Sequence, residues 1–422
     1  MLSSRQTVFE FALAAALAAG CGSDSTTSLT FSGSALGPEG AVISQQLARF
    51  AEQHPGVRVS LRITPDAADQ RHQLYVQWLN AHAPEPDVLQ LDVVWTAEFA
   101  GAGWIRPFAP AASDDDFVSA AWQASHWRGT PFALPWFIDV GLLYWRTDLV
   151  ESAPESIEQL RDEAIRLAHG PSRFGLVWQG ARYEGLVTVF LEHLTAFGGR
   201  IFDDRGQVAV DEPAAVRALT FMRDAVGAGG FVPASVLTWQ EEQTRFAFQN
   251  GEAAFMRNWP YASALLQDRS QSAVAGRFAV APFPAGENGR PAAALGGAEL
   301  AVNRWSRHPD LAEALARFLT APEQMLERAR VAAQLPARRS VYDDPALAGA
   351  LPIPIEEMRA VLDAAVSRPV TPVYTELSEI LQVELHRTLS GQATPEAALH
   401  RAASDMRTLL ARSGLANEGT LP

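Results

Sequence analysis

The spacing of apolar residues changes twice within the first hundred positions, and each change marks an element. Residues 29–31 form a short apolar run that stops at the small-residue stretch SGSALGPEG, the pattern of a strand followed by a turn. Over residues 41–52 the apolar positions recur at Ile43, Leu47 and Phe50, a helical period. After HPG the period falls to two, with Val57, Val59, Leu61 and Ile63 alternating with polar residues, which predicts a second strand. A helix is expected over 69–81. Residues 88–91 then form an apolar run that ends at Asp92, followed by a short helix over 96–102 with Gly103 ending it.

This β-α-β-α-β order predicts a parallel sheet and an α/β fold. In open α/β sheets the carboxyl ends of the strands face the ligand crevice, and Asp92 stands at such an end. It is equally compatible with a helix N-cap or a buried acid paired with an arginine. The stretch TPFALPWFIDVGLLYWRTDLV, 130–150, reads as a crossing from one lobe to a second, because Pro131 and Pro135 break any helix there. Residues 151–290 read as largely helical, with strand-like pieces at 175–178 and 278–281. ALGGAELAVN, 294–303, reads as a strand crossing back. Residues 334–345 form an irregular link, and the remainder is helical apart from 367–377. A chain of 422 residues is too long for one core and suggests two domains.

Composition narrows the chemistry. A net charge of −14 argues against nucleic acid or an anionic membrane as the main partner. All 34 basic residues are arginine, so no Walker-type phosphate loop and no lysine Schiff base can form. The nine histidines contain no HExxH pair, so no metal site is expected; no GxSxG nucleophile elbow appears either, and no cofactor is expected. Residues 1–20 carry Arg5, an apolar core over 11–19 and then AAGC, the layout of a signal peptide too short to span a bilayer. Cys21, the lone cysteine, is the expected lipidated N-terminus, although Glu10 and the position of Leu17 depart from the usual pattern. An ordinary secretory signal with an incidental cysteine is the alternative. Residues 21–28 are a polar tether.

The mature chain as a whole resembles the extracytoplasmic sugar-binding lipoproteins of ABC importers (solute-binding protein family 1), and within them the trehalose/maltose-binding branch. The resemblance runs through FAEQHPGVRV, DVLQLDVVWTAEFAGAGWIRPF, ALPWFIDVGLLYWRTDL, GLVWQGARYEGL, FMRNWPYA, LGGAELAVN and SRPVTPVYTELSEILQ, all in order. It implies a periplasmic-binding-protein fold, in which two α/β lobes joined by hinge crossovers enclose a ligand cleft. On that pattern lobe 1 covers 29–136 and 299–340, and lobe 2 covers 137–298 and 341–422. The implied function is capture of a disaccharide by hinge closure and its delivery to permease subunits by a monomer held at the membrane only by its lipid anchor.

Carried over motif by motif, the implied ligand contacts are Glu39, Arg71, Asp92, Asp139, Trp259, Tyr261 and Arg368, with Phe137, Tyr183 and Glu184 beside them. These residue types suit a sugar. Carboxylates and guanidinium groups hydrogen-bond adjacent hydroxyls, and aromatic rings cover the C–H faces. Arg71 and Glu39 are also compatible with solvated helix positions, and Trp259 and Tyr261 with core packing. Asp139, inside the apolar run FIDVGLL, would be costly unpaired, so a ligand or a hinge salt bridge is expected there. Two positions depart from the branch. Ala298 stands where a tryptophan follows the glycine pair, with Glu299 next to it as a substitute carboxylate, and Phe137 stands where tyrosine is usual. They put the sugar's identity in question and admit a glycosylated polyol. A glycoside hydrolase with paired carboxylates is the enzymatic alternative. Arg71 and Arg368 argue against a cationic solute.

Overall fold

A computed structural model describes residues 26–35, 37–168, 172–349, 351 and 354–415. The signal segment and Cys21 lie outside them. Two sheets organise the described residues. The larger has the strand order Leu335–Pro336, Leu134–Val140, Ala293–Val302, Val88–Asp92, Thr27–Gly33, Val57–Ile63, with Ala365–Val366 paired to the start of the Ala293–Val302 strand. Thr27–Gly33 is parallel to both Val57–Ile63 and Val88–Asp92, as the alternation of periods predicts. The helices Glu39–Gln53 and Ala68–Asn80 connect them. Val57–Ile63 is the sheet's edge, which is why its alternating apolar residues are only half-buried and Ile63 is exposed.

The second sheet has the order Phe278–Ala281, Leu142–Arg146, Ala253–Asn258, Phe174–Val177. The helices Ile157–Ala168 and Glu241–Gln249 pack on it, and Glu184–Ala196 and Pro213–Val226 pack together, with Tyr374–Leu389 on both. Each sheet with its helices forms a lobe.

The lobes are joined where strands run out of one sheet into the other. Leu134–Val140 lies in the first sheet and, one residue later, Leu142–Arg146 lies in the second. Leu134–Val140 continues through the expected 136/137 divide and Ala293–Val302 through 298/299, although the register between the two strands shifts there. The change of sheet therefore falls at Gly141 and just before Ala293. The Gly141 N–H donates to Ala294 O at 3.0 Å, tying the outgoing crossing to the returning one. Beneath this junction the buried Arg257 and Glu192 form an ion pair, with Nη2 to Oε1 at 2.7 Å. Glu192 Oε1 also accepts from the Ala294 N–H at 3.0 Å. A Cβ on Gly141 would collide with that carboxylate, so only glycine lets the crossing strand lie this close.

Candidate functional site

A cavity of about 320 Å³ opens between the lobes, within the size range of small-molecule sites. A hollow of about 860 Å³ around the Arg49–Glu327 pair shares no lining residue with that cavity. The cleft is the better candidate because polar side chains from both sheets converge on it.

From the first lobe, the carboxyl end of Val88–Asp92 supplies Asp92, with Gln90 two residues earlier on the same side of the strand. Glu39 opens its helix directly after the first strand and turn. Arg71 comes from the next helix. Leu134–Val140 contributes Phe137 and Asp139, again two apart, and Ala293–Val302 contributes Gly296, Gly297 and Ala298. From the second lobe come Tyr183 and Glu184 at the start of one helix, Glu241 and Glu242 at the start of another, and Trp259 and Tyr261 after the Ala253–Asn258 strand. Arg368 reaches in from the link before Tyr374–Leu389.

Arg368 is 4% exposed and spans the two lobes. Its Nη2 donates to Asp92 Oδ1 at 2.6 Å and its Nη1 to Glu184 Oε1 at 2.8 Å. Burial opposes its charge, and Asp92, the Tyr374 hydroxyl and Glu184 together outweigh that opposition. Tyr374 and Ser378 donate to Glu184 as well. Asp92 is thus both the cleft-facing acid at a strand end and an acid paired with an arginine; the two readings hold together.

Asp139 has no ion pair within 4.0 Å among the described residues, so the hinge salt bridge expected for it is absent there. Burial first, then the nearby Glu39 and Asp92 carboxylates, push it up to about 7. Glu39 is raised by burial too, and Arg328, Ser34 and Arg71 temper the effect. Its two oxygens accept from Ser34 Oγ at 3.0 Å and Gln334 Nε2 at 2.7 Å. Arg71 donates to the carbonyls of Pro65 and Asp66 and lies over the Trp95 ring at 5.4 Å.

Trp259 is positioned from three sides. Arg257 stacks on its ring at 3.9 Å, Glu241 Oε1 accepts its indole N–H at 3.4 Å, and Gly296 leaves room for its edge. Tyr261 donates to Glu242 at 2.8 Å, and Arg245 pairs with the same carboxylate.

Of the sequence-derived residues the structure gathers Glu39, Arg71, Asp92, Phe137, Asp139, Tyr183, Glu184, Trp259, Tyr261 and Arg368 around one cavity. Glu299 is the correction. Successive strand residues point to opposite faces, so while Ala298 borders the cleft, Glu299 is fully buried behind it. Thr96 Oγ1 donates to it at 2.6 Å, and burial raises its pKa well above the carboxylate range. It is a core acid and no substitute for a missing ring. Gln90, Asp66 and the 240–243 cluster also line the cavity and were not singled out from the sequence. Gln90 carried a readable signal, since a polar residue two before Asp92 in an apolar strand shares its face. Glu241 and Glu242 did not, since acids opening a helix are commonplace.

The family model for bacterial extracellular solute-binding proteins matches residues 34–326. A probable ABC transporter-binding protein from Deinococcus radiodurans is 36% identical over 82% of this chain and 84% of its own length. A mannitol-binding protein from Pseudomonas aeruginosa is 27% identical over 87% of the chain and 88% of its own length. Among solved structures, maltose-bound MalE3 from T. maritima superposes with a TM-score of 0.86 at 40% identity, covering 91% of this chain and all of that one.

Proposed function

The chain belongs to the bacterial extracellular solute-binding protein family, and from that premise we propose that it captures a disaccharide of the trehalose or maltose kind and delivers it to the permease of an ABC importer. The observation that carries the reading is the interlobe cavity, where carboxylates, a guanidinium group and aromatic rings from both lobes face the same space. Carboxylate oxygens accept from neighbouring hydroxyls more strongly than neutral acceptors do. Trp259, Tyr261 and Phe137 offer apolar area to C–H faces. Because both lobes supply contacts, a ligand binds the closed form better than the open one, and that difference is what drives closure.

The similarity to maltose-bound MalE3 supports a disaccharide. The mannitol-binding relative, with Ala298 in place of a ring, supports a polyol as the second reading. Cys21 is the proposed acyl anchor, placing the protein outside the cytoplasm as a monomer; intact-mass spectrometry of detergent-extracted protein checks it. A thermal-shift and calorimetric panel of trehalose, maltose, maltotriose, glucose and mannitol tests the function. A rise in Tm with a disaccharide alone supports the first reading, and a rise with mannitol alone replaces it with the second. Release of monosaccharide during incubation would overturn a transport role in favour of hydrolysis.

A further inference from the structure

The charges around the cleft do not balance. Among the described residues seven carboxylates line the cavity against two arginines, and both arginines are already engaged. Arg368 is shared by Asp92 and Glu184. Arg71 is held by two backbone carbonyls beside Asp66. The two cations that argued from sequence against a positively charged solute are therefore spent on the protein itself. Glu242 is paired with Arg245, and Glu39 is hydrogen-bonded and faces Arg328.

Asp66 also has no ion pair, but it is exposed to solvent and faces Arg71, which leaves Asp139 and Glu241 among the less exposed acids. Neither has an ion-pair partner within 4.0 Å among the described residues. They stand on two sides of one ring. Glu241 accepts the Trp259 indole N–H, while Asp139 and the edge of Trp259 both border Gly296. Arg257 covers one face of the ring, but its charge is taken up by Glu192. Close by, the Tyr183 hydroxyl is buried near Glu241. Closing the lobes around a neutral sugar would take two acids with no ion-pair partner of their own further out of water, which is costly for each that stays ionised. An ammonium group removes that cost and adds charge-assisted hydrogen bonds and attraction to the indole.

We propose that the cleft takes a saccharide carrying a basic nitrogen, with its ammonium group held between Asp139 and Glu241 beside Trp259. This rests on the saccharide reading above and narrows it to a cationic class. Asp139 is faced by Glu39 and Asp92, which favour its protonated form, and by Arg257 and Arg368, which favour the carboxylate. Affinity for an amine that stays protonated up to pH 8 therefore climbs as pH rises through about 7 and Asp139 ionises, whereas a neutral sugar shows no such climb.

The test is calorimetry of the full chain with trehalose against 6-amino-6-deoxytrehalose, and with maltose against 6-amino-6-deoxymaltose, from pH 5.5 to 8. The expected result is at least one amine roughly tenfold or more tighter than its neutral counterpart at pH 7, equal to about 1.4 kcal/mol. Asp139→Asn should erase that preference and Glu241→Gln should reduce it. Equal or tighter binding of both neutral sugars overturns the cationic class and leaves the saccharide reading standing. Failure of all four probes to bind overturns both.

Discussion

Removing the Arg368 guanidinium would leave Asp92 and Glu184 close together with no counter-charge. Breaking a buried ion pair from one side typically costs about 3–5 kcal/mol, and here one cation answers two acids with its side chain 2% exposed. Arg368→Met should lower stability by about that range in urea unfolding, and Arg368→Lys should rescue little, since an ammonium cannot reach both partners as a planar fork does. Trp259→Ala is expected to weaken ligand binding more than tenfold, with unfolding still cooperative. At this scale the sequence was informative wherever a residue sat oddly in its pattern. Asp139 in an apolar run and Arg368 in a non-helical link both reach the cleft. It was silent where a residue was ordinary for its element, as Glu241 is at a helix start. It misled at Glu299, because the face a strand residue takes depends on register, and the register is set by neighbouring strands.

The crossing elements have little tolerance. A methyl group on Gly141 would displace the Glu192 carboxylate from Arg257 and from the Ala294 N–H. Gly141→Ala should therefore destabilise the protein by several kcal/mol, whereas an alanine at the solvent-facing Gly56, which meets no neighbour, should be far milder despite its positive φ. Paired denaturant melts separate the two. The first three strands and their helices were legible because Thr27–Gly33 and Val88–Asp92, buried on both faces, read as apolar runs, while the edge strand Val57–Ile63 and the helices show their periods. The exchange of sheets at Gly141 was legible only to within a few residues. FIDVGLL is apolar on both sides of the glycine, and nothing in local pattern says which sheet each half joins.

Across the whole molecule, acids in and beside the cleft couple folding to protons. Asp139 is pushed up to about 7, and Asp69, raised by burial and by Glu184 opposite it, to about 6. Both lie above the ordinary value of 3.8. A carboxyl with a higher pKa folded than unfolded binds its proton better in the folded state. The stability it lends is full below about 4 and is lost as pH rises through 6 to 7. The ligand-free protein should thus weaken between pH 4 and 8, by at most about 1.4 kcal/mol per pH unit for a fully coupled group, and less for the half-buried Asp69. Asp139→Asn should flatten the upper part of that slope in melts taken across the range. Closure should also shrink the molecule, so small-angle scattering with saturating ligand should give a smaller radius of gyration than without it. The two-lobed α/β plan could be read from collinear motifs. The balance of charge in the cleft could not, because it depends on which arginines the protein uses for itself.

The position of Ala293–Val302 has a consequence for how the chain is made. This strand lies between Val88–Asp92 and Leu134–Val140, antiparallel to both. The first sheet consequently has a gap at its centre until residue 302 of 422 has been synthesised, after most of the second lobe has already emerged. Pairings over such separations pay loop-closure entropy before any contact rewards it, and folding is correspondingly slow. A nascent chain of this topology cannot close its first sheet until then, and a sheet still unclosed is one whose strands can yet be threaded through a narrow channel.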